Sequence, residues 1–137
     1  MIRAAVAALC VAGGCGRAPV RDCGDDLTGV WRTGAERWQL IEVRDRRELY
    51  PLFRDLPAVP AGVVAAPRVI RLPRTGDGTV TRRYERGDRF CSRTAPARLR
   101  ACGAGGLTLE LADPPPPDDW ATCAGPPAPP LAVTLTR

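Results

Sequence analysis

The sequence predicts an all-β fold: a single small antiparallel up-and-down barrel or flattened sandwich of about eight or nine strands, stapled by disulfides. Apolar and polar residues alternate in short runs, and Gly, Pro and Asp interrupt these runs about every eight to twelve residues. No segment carries a convincing helical period. Consecutive short strands favour a meander, and closing the meander removes exposed strand edges.

Turn residues separate the predicted strands. Gly76-Asp77-Gly78, Gly87-Asp88 and Gly103-Ala104-Gly105 supply the positive φ angles that tight hairpins need. Pro96-Ala97 is a further expected turn. The strands are predicted at 28–33, 37–43, 47–53, 63–72, 79–86, 89–94, 97–102, 106–111 and 131–136.

The first 14 residues predict an export signal. Residues 4–12 form an uncharged apolar run, which is shorter than the roughly 20 residues of a membrane-spanning helix but suits a secretory signal. The following Ala12-Gly13-Gly14-Cys15 resembles the bacterial lipobox, in which small residues precede a cysteine that is lipidated. The resemblance implies a lipoprotein signal peptide over 1–14 and palmitate-type lipidation of Cys15. An ordinary cleaved signal, or no signal, is the alternative.

Two further segments are expected after the signal. Residues 15–26 are polar and form a lipidated tether, and residues 27–137 suffice for one β domain. Gly16 follows the lipidated cysteine, and in enteric bacteria a residue other than Asp at this position implies the outer membrane. The expected location is therefore the extracytoplasmic cell envelope, with the outer membrane favoured over the inner.

The remaining cysteines predict two disulfides. Once Cys10 and Cys15 are set aside, an even number remains in an oxidising compartment, where disulfides are the default. Zinc is disfavoured because the chain has no CxxC pair and no His. The cysteines concerned are Cys23, Cys91, Cys102 and Cys123.

The expected turn at Pro96-Ala97 decides the pairing that we prefer. It would place Cys91 opposite Cys102 across a hairpin, which leaves Cys23 to pair with Cys123. The alternative pairing is 23–102 with 91–123.

The composition argues against most enzyme chemistry. All 20 basic residues are Arg, and the chain has no Lys and no His, the usual general base. Ser92 is the only serine, and no base is available to activate it. We expect no catalytic residue, no cofactor and no metal. Carboxylate chemistry is the one class that the composition leaves open.

Asp118, Asp119 and Trp120 form the best candidate binding cluster. Together with Asp113 the two aspartates could bind Ca²⁺ or a sugar, although neighbouring aspartates in a proline-rich loop are more often simply solvated. The loop is framed by proline runs at 114–117 and 126–130, which favour extended, stiff backbone. Trp120 is a contact residue if it is exposed at the loop tip, and otherwise caps the core.

A second candidate is a basic patch. If Arg82, Arg86, Arg98 and Arg100 share one face of the sheet, they could meet anionic lipid or an acidic envelope protein. The alternative is an outward, solvated face. The formal charge of +5 is mild, and the export signal argues against nucleic acid as a partner.

Two resemblances add to these expectations. Gly29-Val30-Trp31 resembles the lipocalin entry motif, in which Gly-x-Trp opens an up-and-down barrel and the Trp plugs its closed end. The resemblance implies that a late arginine, here Arg137, packs on Trp31; a plain core role for Trp31 is the alternative. More broadly, the tether, "DLTGVW" and "CSRTAPARLRAC" resemble small lipoproteins of GC-rich Gram-negative bacteria such as myxobacteria, a likeness that implies no particular activity.

The function predicted is therefore that of a lipid-anchored envelope protein with a non-catalytic β-barrel that binds a partner or serves a structural role. One alternative is a lipocalin-like carrier of a small apolar ligand, which requires an open cavity. The other is a carboxylate-dependent hydrolase, which requires a close pair of buried carboxylates in a cleft.

Overall fold

A computed structural model describes residues 26–52, 56–74, 77–103 and 106–137. The predicted signal segment 1–14, Cys15, nearly all of the tether and Cys23 lie outside the described residues. The strands are β1 (Gly29–Thr33), β2 (Glu36–Val43), β3 (Arg46–Pro51), β4 (Val63–Ala65), β5 (Val69–Pro73), β6 (Gly78–Arg86), β7 (Arg89–Cys102), β8 (Gly106–Leu111) and β9 (Leu131–Thr136).

Eight of these strands close into an antiparallel barrel, which confirms the predicted fold class. Once β4 is set aside, each strand pairs with the one that follows it, so that β3 pairs with β5, and β9 returns to β1 through the pair Arg32–Thr136. The short β4 is an extra strand that pairs with the C-terminal residues of β6. No helix in the described part of the chain is long and apolar enough to cross a membrane.

The predicted strand 63–72 is broken in the structure. Its two parts, β4 and β5, pair with the same side of β6, with Ala65 opposite Tyr84 and Val69 opposite Thr81. Pro67 lies between the two parts, and because it has no backbone N–H it cannot donate a hydrogen bond to β6. The carbonyl of Arg83 still accepts the N–H of Ala66 at 2.8 Å, so the chain leaves β6 for only a few residues.

The predicted turn at Pro96-Ala97 is wrong, because 89–102 is one continuous strand. Pro96 lies opposite Thr79 of β6, and its carbonyl accepts the N–H of Ala112 at 3.2 Å. A strand residue directs its nitrogen and carbonyl to the same side, so the nitrogen of Pro96 faces the chain just beyond the end of β8. The missing N–H therefore points away from β6 and lies outside the β7–β8 ladder, which ends at the pair Ala97–Leu111, so proline is tolerated there.

The barrel interior is filled by side chains from alternate positions of the strands. Trp31 and Trp38 lie directly opposite each other on β1 and β2, and both are almost fully buried. The remaining buried members of this cluster are Leu27, Leu40, Leu49, Ile70, Leu72, Val80, Ala97, Leu107, Leu109, Leu111 and Leu135.

One end of the barrel is closed by the two ends of the domain. The indole N–H of Trp31 donates to the carbonyl of Leu27 at 2.8 Å. The guanidinium of Arg137 lies 4.8 Å from the centre of the Trp31 ring and donates to the carbonyl of Asp26 at 2.9 Å. This is the stacking that the Gly-x-Trp resemblance implied, and a cation over an indole face contributes about 0.5–2 kcal/mol. We call this the terminal end.

The other end carries the longer connections. Because neighbouring strands are antiparallel, the β1–β2 turn, the β3–β4 connection, the β6–β7 turn and residues 112–130 all lie there. We call this the loop end, and residues 112–130 the proline loop.

Close approach between β5 and β6 predicts a strict requirement for glycine at position 78. A Cβ at Gly78 would collide with the backbone oxygen of Arg71. We expect Gly78→Ala to lower the free energy of unfolding by about 2–3 kcal/mol, because the backbone must shift. Gly103→Ala is the matched control, since a Cβ there meets nothing within 4 Å, and should change it by less than about 0.5 kcal/mol. Urea unfolding of both variants tests this, and equal midpoints would contradict it.

Candidate functional site

The proline loop at the loop end is the most extensively built feature outside the barrel. A proline-rich segment lacks many backbone N–H donors, so its carbonyls need donors from elsewhere. The inner face of the β6–β7 hairpin supplies them, because Arg82 and Tyr84 on β6 lie opposite Arg93 and Cys91 on β7.

Arg82 fixes the start of the loop. Its side chain is fully buried, and its Nε and Nη2 donate to the two carboxylate oxygens of Asp113 at 3.1 and 3.0 Å. Its Nη1 donates to the carbonyl of Ala66 at 2.9 Å, which also ties in the break between β4 and β5. A planar guanidinium gripping a carboxylate in this two-point manner holds one orientation. The hydroxyl of Tyr84 donates to the next residue, the carbonyl of Pro114, at 2.6 Å.

Arg93 joins the two limbs of the loop. Its Nε donates to the carbonyl of Pro115 at 3.1 Å, Nη1 to that of Cys123 at 3.1 Å, and Nη2 to that of Pro126 at 3.0 Å. The five N–H groups of a guanidinium radiate in one plane, so a single side chain can serve three carbonyls that converge on it. Arg93 was not among the functional residues predicted from the sequence. An excess of proline carbonyls over N–H donors was the signal that could have indicated such a residue.

A disulfide between Cys91 and Cys123 pins the loop to β7, with Cα atoms 5.4 Å apart. The preferred pairing of Cys91 with Cys102 is therefore wrong, and 91–123 belongs to the alternative. The two cysteines first paired lie at opposite ends of one strand, and a rise of about 3.3 Å per residue separates them far beyond disulfide reach. Cys102 is also disulfide-bonded, and the described residues contain no free cysteine.

Trp120 caps a second apolar cluster and is not an exposed contact. It is 8% exposed and packs with Ala65, Tyr84 and Cys91. The Arg86 guanidinium lies 4.9 Å from the centre of its ring and covers the remaining face. Of the two roles considered for Trp120, the structure selects the capping role.

The neighbouring aspartates shape a turn. The backbone N–H groups of Asp118 and Asp119 both donate to the carbonyl of Ala124, at 2.9 and 3.1 Å. The carboxylate of Asp119 accepts the N–H of Ala121 at 2.9 Å, and this bond holds the pKa of Asp119 below its ordinary value. Asp113 is committed to Arg82. Within the described ranges no group of three or more metal-ligating residues converges.

The four arginines of the predicted basic patch do not share a face. Arg82 and Arg86 belong to the inner face of the β6–β7 hairpin, whereas Arg98 faces outward between the core residues of β7. Arg98 pairs with Asp77 at 2.9 Å, and Arg100 lies at a bulge in β7, where it pairs with Glu110 at 2.8 Å. The predicted patch is thus dispersed, and acidic or aromatic partners meet all four side chains. Arg82 lies opposite Arg93, and Arg98 is an odd number of residues further along β7, so the strand's alternation puts it on the other face. The bulge changes only the direction of Arg100.

Glu48 is the buried carboxylate among the described residues, and it lies on the barrel wall. The hydroxyl of Tyr50 donates to it, and Arg46 and Arg71 lie 2.7 and 3.6 Å away. The hydrogen bond from Tyr50 holds the pKa of Glu48 below its ordinary value. Burial alone would raise this pKa, but its effect is smaller than that of the hydrogen bond. Such a carboxylate stays ionised, and no second buried carboxylate stands beside it in the described part of the chain.

A groove runs between the proline loop and the outer face of β7 and β8. Its larger part has a volume of about 340 Å³. It is lined by Pro96, Arg98, Glu110, Ala112, Pro127, Ala128 and Pro130. A smaller part of about 100 Å³ continues toward Arg93 and Pro115. Proline and alanine side chains form most of the walls, and one ion-paired arginine and one ion-paired glutamate stand at the rim. The groove suits an extended, mainly apolar ligand segment.

Comparison with known proteins gives no assignment: no family model, no curated protein and no solved structure matches the chain.

The contacts of Arg93 predict that it stabilises the proline loop. We expect Arg93→Ala to lower the free energy of unfolding by about 2–4 kcal/mol, since three carbonyls lose a charged donor at once. Arg93→Lys should recover only part of this, because an ammonium cannot span all three. Arg89→Ala, an exposed arginine near the same hairpin turn, should cost less than about 0.5 kcal/mol. A wild-type urea midpoint for Arg93→Ala would refute the role.

The Tyr50–Glu48 bond predicts acid sensitivity. A carboxylate whose folded-state pKa is lowered contributes stability that is present above its unfolded pKa, about 4.5, and is lost as the pH falls through the folded value. Tyr50→Phe should therefore cost more stability at pH 6 than at pH 3. Tyr84→Phe removes a hydroxyl bonded to a carbonyl and should cost the same at both. Urea midpoints at the two pH values decide; equal costs for Tyr50→Phe would contradict the prediction.

Proposed function

We propose that the chain is exported, lipidated on Cys15 and held at the cell envelope, where its barrel acts as a non-catalytic binding module. The observation that carries the proposal is the Cys91–Cys123 disulfide, which fastens a shaped loop to the barrel. Disulfides persist in oxidising compartments, which agrees with the apolar segment 4–12 and the Ala12-Gly13-Gly14-Cys15 sequence.

The groove beside the proline loop is the proposed binding surface. Its walls are held by Arg93, by the disulfide and by two strands, so that a partner meets a preformed surface and little ordering entropy is lost on binding. Arg98 and Glu110 at the rim can orient the polar backbone of an envelope protein or peptide. With the arginines dispersed and paired, this surface supports an envelope protein as partner better than an anionic lipid.

The carrier alternative has less support. A carrier needs an open interior, and the described strands instead direct a continuous cluster with two tryptophans into the barrel. The hydrolase alternative needs two carboxylates in a cleft, and Glu48 has arginines and a tyrosine as its neighbours. The filled barrel and the disulfide-held groove support a binding or structural role better than either alternative.

Fatty-acid labelling tests the anchor. We expect radiolabelled palmitate to enter the wild-type protein and not Cys15→Ser, because the thiol of Cys15 is the proposed acceptor. Cys10→Ser is the matched control and should be labelled like the wild type. Absence of label from the wild type, or full labelling of Cys15→Ser, would overturn the proposed anchor.

A further inference from the structure

Within the described residues, β9 is incompletely paired along one of its two sides. This strand pairs with β8 over its whole length, from Leu131–Leu111 to Thr136–Gly106. On its other side the described residues provide one pair, Thr136 with Arg32 of β1. If this antiparallel register continued, Thr33 would lie opposite Leu135. However, β1 ends at Thr33 and the chain turns away at Gly34, where φ is 54°. Residues 131–134 therefore extend past the end of β1.

The free side of β9, which we call the β9 edge, consists of Leu131, Ala132, Val133 and Thr134. Leu131 is 67% exposed, the largest exposed fraction among the big apolar side chains of the described residues. The four residues of the edge include no charged residue and no proline; Pro130 of the proline loop precedes them, and Arg137 follows the strand. Natural proteins protect exposed edges with charges, prolines or bulges, and the β9 edge has none of these.

The β9 edge is complementary to a second copy of itself. In an antiparallel pair related by a twofold axis at Ala132, Leu131 lies opposite Val133 of the partner subunit. The two Ala132 side chains face each other on the outer face. Apolar positions on the barrel side thus meet apolar positions, and no like charges are opposed. The edge offers no charged side chain that a charged partner could bind. Pairing of two copies covers the exposed Leu131 of each copy.

We propose that the chain forms a homodimer through antiparallel pairing of the β9 edges around Ala132. The free segment is short, and the surface it buries is smaller than the roughly 1,200–2,000 Å² of stable complexes. The dimer is therefore a weak one, with a dissociation constant on the order of 10–100 µM. The proposal does not depend on the lipid anchor or on the groove.

A charge swap at the twofold axis tests this register. Ala132→Lys places two ammonium groups opposite each other, and Ala132→Glu places two carboxylates opposite each other. Like charges in directly opposed positions destabilise a strand pair. Sedimentation velocity of the full chain in detergent, over a concentration series, should show that each variant alone has a dissociation constant at least about tenfold above that of the wild type. An equimolar mixture of the two variants should recover dimer to within about threefold of the wild type, because lysine now faces glutamate.

Ser92→Lys is the matched control, since Ser92 is an exposed residue of β7 outside the β9 edge, and it should associate like the wild type. An unchanged urea midpoint in each variant shows that the fold is intact. A monomeric wild type at every concentration would overturn the proposal. So would undiminished association of Ala132→Lys alone, or failure of the mixture to restore the dimer.

Discussion

The structure of the loop end is determined by one constraint: the proline loop has fewer backbone N–H donors than its carbonyls need. Prolines make the segment stiff, but they leave carbonyls that the loop cannot satisfy with its own N–H groups. The β6–β7 hairpin meets that need with Arg82, Tyr84 and Arg93, and the loop in turn shields these polar side chains from water. Burial of a charged guanidinium is tolerable here because its donors are occupied. The same arrangement sets the walls of the groove, so the binding surface and the stability of this end have one physical origin.

Alternation and turn residues were sufficient to predict the class of fold and the approximate position of most strands, because a half-buried strand must alternate and a tight hairpin needs glycine. They failed where tertiary context decided. Proline is a typical turn residue, yet β7 continues through Pro96 because it pairs with β6 there, and the nitrogen of Pro96 faces away from β6. The error in the disulfide pairing followed directly from that turn.

The site was less predictable than the fold. Which face an arginine occupies depends on register, and the bulge near Arg100 changes the alternation within β7 in a way that no local pattern announces. Trp120 and Asp113 were predicted as members of a binding cluster, whereas in the structure they contact Arg86 and Arg82 of β6, about 30 residues earlier in the chain. Contacts between residues so far apart in the chain depend on how the hairpin and the loop pack together. They cannot be predicted from local patterns in a single sequence.

The pairing of β9 with β1 has a consequence for how the domain is made. The first and last strands meet, and Arg137 stacks on Trp31, so closure joins segments separated by more than a hundred residues. Such closure has a large entropic barrier and is slow compared with local hairpin formation. A chain that emerges gradually from a ribosome cannot complete this barrel until residue 136 has emerged. Until then the barrel remains open at that seam, and Trp31 lacks the guanidinium of Arg137 over its ring.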